Sequence, residues 1–263
     1  MKRILIAFLF YSFLLGSCKK EITISKPQAS FSFRSDTASV FTMVTNDTCT
    51  LVNNSINADS SFWDLGNGTI LKKRSLVLTY STSGTYTIKL TVFNSNGQRS
   101  SIIKTVKVVD RVLRKIIIKK VYWDTIPNDI PYFNAEWPTS STAGVFVQIQ
   151  KYTPGDSIAP YSGLMPNSPI LYKSPIISNV YCNTTTPLTI DVPGRIIVDK
   201  NMVLDGTFAV FLMAKDSNNV IYNIQSSLQS GSSFGIQEQN LQKNKFILVS
   251  SAYSLVELDC DFE

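Results

Sequence analysis

Trp63-Asp64-Leu65-Gly66-Asn67-Gly68-Thr69, followed further on by Thr85-Tyr86-Thr87-Ile88-Lys89-Leu90-Thr91-Val92, decides the fold of the first half of the chain. In the second stretch Tyr86, Ile88, Leu90 and Val92 share one face, and Thr and Lys take the other. Such a period of two predicts a half-buried strand. In the first stretch Asp64 is placed to accept backbone N–H groups across a turn. Gly66 and Gly68 supply positive φ, and Asn67-Gly68 favours a tight type I′ turn. Working outward, Phe31 and Phe33 alternate with polar neighbours, and Cys49-Thr50-Leu51 leads into the polar cluster Asn53-Asn54-Ser55. Asn94 to Gly97 reads as a turn and Ile102 to Val108 as a closing strand.

These residues resemble the PKD domain, an immunoglobulin-like β-sandwich whose hallmark turn is Trp-Asp-Phe-Gly-Asp-Gly-Thr. Tyr80, Gly84, Tyr86, Ile88, Leu90, Val92, Asn94 and Gly97 fit the second half of the same family, and the likeness spans residues 27–110. Leu65 stands for Phe and Asn67 for Asp, both mild departures. The resemblance implies that Trp63 is the buried aromatic between two sheets. It makes Trp63, Asp64, Gly66, Asn67, Gly68 and Tyr86 a structural motif. A calcium site at Asp64 and Asn67 falls short of the six to eight oxygen ligands such an ion takes.

Residues 111–263 again read as β, which makes the chain all-β with two β-sandwich domains. Arg114 to Tyr122 is a strand rich in Lys, in the manner of a guarded edge. Gly144 to Gln150 alternates, and Leu188 to Val192 ends at a Pro193-Gly194 turn. Thr207 to Ala214 is nearly continuous in apolar residues, as a central strand is. The Pro- and Gly-rich stretch Thr153 to Pro169 is a long loop, and loops of that length are often functional. The order of pieces resembles the C-two-type β-sandwich, the calcium-dependent phospholipid-binding fold, through Lys115 to Trp123, Gly144 to Ile149 and Phe208 to Val220. Only Asp124 and Asp216 sit near that fold's calcium positions, and Asn218 and Asn219 are neutral, so the resemblance implies that calcium binding is lost. A plain uncharacterised sandwich is the alternative.

The chain opens with Lys2 and Arg3, then an apolar run from Ile4 to Leu15, then Leu15-Gly16-Ser17-Cys18. The run is too short to span a bilayer and suits a secretory signal. The tetrapeptide resembles a bacterial lipobox, whose Cys is lipidated and becomes the mature N-terminus. Residues 1–17 are then a signal peptide, 18–26 a lipidated tether, 27–110 the first sandwich and 111–263 the second. A plain signal with a chance Cys, or an uncleaved anchor, is the competing account. Several acyl tails hold a protein to a membrane far better than one. Lys19 in place of an inner-membrane retention Asp points to the outer membrane, on either face.

Of 263 residues, 25 are Lys or Arg, 19 are Asp or Glu and none is His, a formal net charge of +6. Loss of residues 1–17 removes Lys2 and Arg3 and lowers the balance to 23 against 19. No dense basic patch marks a nucleic-acid binder. The missing His excludes Ser-His-Asp and Cys-His nucleophiles and His-ligated metals, so we expect no enzyme activity, no cofactor and no metal. With Cys18 acylated, Cys49 reads as a small buried hydrophobe, and Cys182 and Cys260 are expected to pair in an oxidising envelope.

Aromatic residues crowd the start of the second half. Trp137, Tyr132, Tyr152 and Tyr161 are the candidate ligand-binding positions, Trp137 being the one expected in solvent. Exposed rings stack on sugars or anchor a protein partner. The expected partners are therefore the membrane, through Cys18, and a glycan or an envelope protein. The expected function is non-catalytic binding by the second sandwich, held away from the membrane by the first. The alternative is a structural or assembly role in the cell envelope.

Overall fold

Short alternating segments broken by Gly, Asn and Ser leave the backbone little choice but strands joined by turns. The computed structural model describes residues 25–34, 36–123, 137–153, 155–156, 165, 167–205, 207–227, 232–238, 244–250 and 254–263. The first part holds β1 (Phe31–Phe33), β2 (Val40–Val44), β3 (Cys49–Asn53), β4 (Ser60–Asp64), β5 (Ile70–Leu71), β6 (Ser75–Leu78), β7 (Gly84–Phe93) and β8 (Arg99–Val109). One sheet has the order β1-β3-β6 and the other β2-β8-β7-β4-β5, with β2 parallel to β8. Ile88, Leu90 and Val92 of β7 meet Phe31, Phe33, Leu51 and Leu78 across the core, as period two requires. Trp63 lies fully buried between the sheets, its ring edge-on to Phe31 at 5.1 Å between centroids.

The remaining elements are β9 (Arg111–Tyr122), β10 (Thr142–Lys151), β11 (Ile170–Lys173), β12 (Ile177–Tyr181), β13 (Asn183–Thr184), β14 (Leu188–Ile197), α1 (Lys200–Leu204), β15 (Phe208–Lys215), β16 (Ile221–Ser226), β17 (Ser232–Glu238), β18 (Asn244–Ser250) and β19 (Leu255–Phe262). One sheet runs β11-β10-β15-β16, with β12 also on β10. Its partner runs β13-β9-β19-β18-β17, with β14 also on β9. Ile116 and Ile118 face Val145, Val147, Ile149, Val210 and Leu212 across a second core. Thr207 to Ala214 is central as expected: β15 lies between β10 and β16, and Phe208 to Ala214 are all buried.

Two expectations about strands are corrected. The Lys-rich strand β9 is interior, bonded to β14 on one side and β19 on the other. Lys115 and Lys119 do not guard an edge; they pair with acids of the neighbouring strands, Lys115 with Asp191 at 3.9 Å and Lys119 with Glu257. Pro193-Gly194 does not reverse the chain. β14 stays antiparallel to β9 from Leu188 to Ile197, with a register shift between Asp191 and Ile196. Gly194 at φ +89° absorbs the extra residues as a bulge, which bends a strand without ending it.

Strand pairing changes from the first pair of sheets to the second at Asp110. Its backbone exchanges both hydrogen bonds with Glu263, N to O 2.7 Å and back 3.0 Å. The Asp110 carboxylate accepts from Ser83 Oγ at 2.7 Å and from Arg195, which the bulge of β14 delivers. Beside it, Asn46 Nδ2 donates to Asp199 Oδ2 at 2.7 Å and Lys200 lies 3.6 Å from Asp47. Burial pushes the Asp110 carboxyl up. The hydrogen bonds from Ser83, Arg195 and Thr45 and the Arg195 charge outweigh that and hold it below its ordinary value.

Candidate functional site

The turn after β4 is built as its residues dictate. Asp64 Oδ1 accepts from Gly66 N at 3.0 Å and Asn67 Oδ1 from Thr69 N at 3.1 Å, so each side chain closes its own loop. Gly66 has φ +73°, and a Cβ there would meet the backbone of Thr87 at 2.6 Å, so only glycine fits. Gly68 also takes positive φ, but Asn67 does not. The expected type I′ turn is therefore absent, since that turn needs positive φ at both residues. Trp63 Nε1 donates to Lys73 O at 2.8 Å. Tyr80 Oη donates to Leu65 O at 2.6 Å, and its ring stacks on Tyr86 at 3.8 Å between centroids. Burial pushes the Tyr80 phenol well above its ordinary range. These partners make the turn a fastening of the fold.

The aromatic candidates separate in the second sandwich. Trp137 is not in solvent: it is 7% exposed, belongs to the central core and sits edge-on to Tyr122. The polar neighbours and Pro138 concealed this, because a large ring beside the start of β10 fills the end of the core whatever follows it. Tyr152 is half-buried and packs on a satellite cluster of Phe146, Met165, Ala209, Phe211 and Met213. Tyr132 and Tyr161 lie outside the described residues, as do Cys18 and Asp124.

That satellite cluster is the outer face of the β10-β15-β16 sheet, and the residue types on it are unusual. Rings alternate there with side-chain amides: Gln148, Gln150, Asn223 and Gln225 are all buried. Met165 and Ser168, between β10 and β11, lie against it. Gln150 Nε2 donates to Met165 O at 2.9 Å and to Ser168 O at 3.0 Å, and Asp156 accepts from Asn167 N and Ser168 Oγ. Among the described residues, Gln148 Nε2 and Asn223 Oδ1 are buried without a hydrogen-bond partner. Such groups are costly and uncommon. Sequence reasoning missed this face, because alternation looks the same whether the polar side meets water or a covering segment.

Asp216, the described residue at a calcium-like position, is committed to its own hairpin. It accepts from Asn218 N, Val220 N and Tyr222 Oη at 2.8–2.9 Å. Among the described residues no group of three His, Cys, Asp or Glu side chains is placed to hold a metal.

Cys182 and Cys260 are free thiols, which corrects the expected bridge. Asn183, next to Cys182, pairs with Tyr122 at one end of β9, whereas Cys260 pairs with Leu113 near the other. The intervening strand is roughly 30 Å long at the usual rise, far beyond the reach of a disulfide. Burial raises the Cys260 thiol to about 12. Cys49 is buried in β3 as expected.

Residues 37–107 match the family model of the PKD domain. No curated protein matches the chain. Among solved structures, the PKD1 domain of the Vibrio cholerae metalloprotease PrtV is 25% identical over 32% of this chain and 98% of its own, with TM-score 0.26. A carbohydrate-binding module of the β-sandwich superfamily is 14% identical over 91% of this chain and 99% of its own, with TM-score 0.29. A lipoprotein of Bacteroides thetaiotaomicron is 10% identical over 89% and 99%, with TM-score 0.20. The family match, the Trp63-to-Thr69 turn and the paired sheets around Trp63 agree: within this chain, residues 37–107 form a PKD domain.

Proposed function

We propose that the chain is a cell-envelope lipoprotein, held in the outer membrane by acylated Cys18, whose second sandwich binds carbohydrate without catalysis. In this reading residues 27–110 are a spacer and residues 111–263 the presenting domain. The observation that carries it is the Tyr152 rim. The Tyr152 ring is partly exposed at the border of the sheet face that buries Phe146 and Phe211, which hold it in place. Apolar sugar faces stack on such a ring. Tyr132 and Tyr161 are the further candidates, and Trp137, being core, is withdrawn. A chain without His lacks the side chain most often used as general acid or base, and a binding role needs none.

The test is retention on immobilised envelope and plant polysaccharides, read by affinity electrophoresis of the full chain. Tyr152→Ala is expected to lower retention at least ten-fold with the melting temperature nearly unchanged. Equal retention by wild type and variant on every polysaccharide would contradict the proposal.

One observation favours the second reading, a protein partner. Strands β11 and β12 edge the sheet and leave Ile170, Leu171, Ile176 and Tyr181 exposed, Tyr181 by 63%. Exposed apolar edges invite association. Crosslinking in native membranes that captures a protein, lost in Ile170→Ser/Tyr181→Ser, would favour an assembly role.

A further inference from the structure

The charge of the PKD domain is gathered at one end. Its strands run lengthwise between two poles. At one pole β8 reaches Val109 and the junction at Asp110; at the other β8 begins at Arg99, opposite Phe93 at the end of β7. The rise of β8, an eleven-residue strand, separates the poles by roughly 35 Å. The N-terminal segment enters at the Arg99 pole: Asn57 Nδ2 donates to Lys26 O and Asn94 Nδ2 to Ser25 O, both at 3.4 Å.

At that same pole a cleft of about 350 Å³ is walled by Asn53, Ser55, Ser60, Asp59 and the exposed run Lys72-Lys73-Arg74. Lys26 and Arg99 are exposed at the same end of the domain. Five cations thus face one acid, Asp59. The other basic residues of the domain, Arg34, Lys89, Lys104 and Lys107, are balanced in number by Asp36, Asp47, Asp64 and Asp110. The whole net charge of the domain lies at this pole. Phe62, 38% exposed, borders it, with Lys72 Nζ 5.6 Å from its ring centroid and Phe93 edge-on at 5.8 Å. Cations beside exposed rings are the combination that settles at a lipid–water interface.

We infer that this pole docks onto the headgroup phosphates of anionic lipids in the membrane that carries the anchor. The choice of lipid over other polyanions rests on the reading of Cys18 as the lipid attachment. Lys26 is eight residues from Cys18, so the pole cannot lie more than about 28 Å from the bilayer. Lys72, Lys73 and Arg74 face the phosphates, the hydroxyl of Ser60 supplies a donor, and the junction is held at the far end. The PKD domain then stands on the membrane and sets the height of the second sandwich.

The test uses the chain from residue 18 with Cys18→Ser, which carries no lipid and so reports on the pole whether or not Cys18 is acylated; acylation itself is read separately by metabolic palmitate labelling. Sedimentation with phosphatidylglycerol–phosphatidylethanolamine vesicles is expected, and little with phosphatidylcholine alone. Lys72→Ala/Lys73→Ala/Arg74→Ala should weaken binding on the order of 100-fold, and raised salt should release the wild type. Lys89→Ala/Lys107→Ala, elsewhere on the same domain, should leave binding unchanged. The inference is overturned if the anionic vesicles fail to retain the wild type, if the triple variant binds as well, or if soluble polygalacturonate is bound and the vesicles are not.

Discussion

The two sandwiches place their polar groups differently. The PKD domain ties its buried ring heteroatoms to backbone, Trp63 Nε1 to Lys73 O and Tyr80 Oη to Leu65 O, and partners its buried charges, Lys104 Nζ with Thr37 O and the Asp110 carboxylate with Ser83 Oγ. The second sandwich buries amides on the outer face of a sheet and leaves Gln148 Nε2 and Asn223 Oδ1 unpaired there. Satisfied buried groups fix one conformation; unsatisfied ones hold free energy that a ligand or a substitution recovers. The first arrangement suits a part that holds position, the second a part that meets something else.

Substitutions at the fastenings break this contrast most severely. Trp63→Ala empties the centre of the PKD core and should cost about 3–5 kcal/mol, seen in calorimetry as a large fall of one unfolding transition. A second, smaller loss comes at the junction. Asp110→Asn removes a buried charge that Ser83 and Arg195 partner and should cost about 2 kcal/mol at neutral pH. The Asp110 pKa is depressed in the folded chain, so its contribution is fully present above its unfolded value of about 3.9 and is lost as the pH falls through the folded value. The melting temperatures of wild type and variant should therefore converge in acid. Tyr80→Phe deletes one hydrogen bond from the turn, and about 1 kcal/mol should go in denaturant titration. Gln148→Leu should act in the opposite direction. It removes an unpaired buried donor and should leave stability equal or higher by up to about 1 kcal/mol.

Much of the PKD domain was legible because its signals are local. Asp64 reaches Gly66, Asn67 reaches Thr69, and the alternation of Tyr86 to Val92 fixes which face is buried without reference to distant chain. The second sandwich depends on contacts that no short window contains. β9 reads as an edge until β19, from the end of the chain, is laid beside it. The Pro193-Gly194 pair reads as a turn until β9 holds both flanks in one strand. Trp137 reads as exposed because its neighbours in sequence are polar, whereas its neighbours in space are Tyr122 and the core. The cationic pole was hidden for the same reason: Lys26, Lys72 to Arg74 and Arg99 are scattered in sequence and converge only when the strands align.

On the proposed reading the two sandwiches divide their labour along one axis, the PKD domain toward the membrane and the second sandwich beyond it. Neutron reflectometry of the lipidated chain on a supported anionic bilayer measures this directly. Protein density is expected to begin at the headgroups, with the second sandwich starting roughly 35 Å out, the length of β8. A single layer with both sandwiches lying side by side on the bilayer would contradict it.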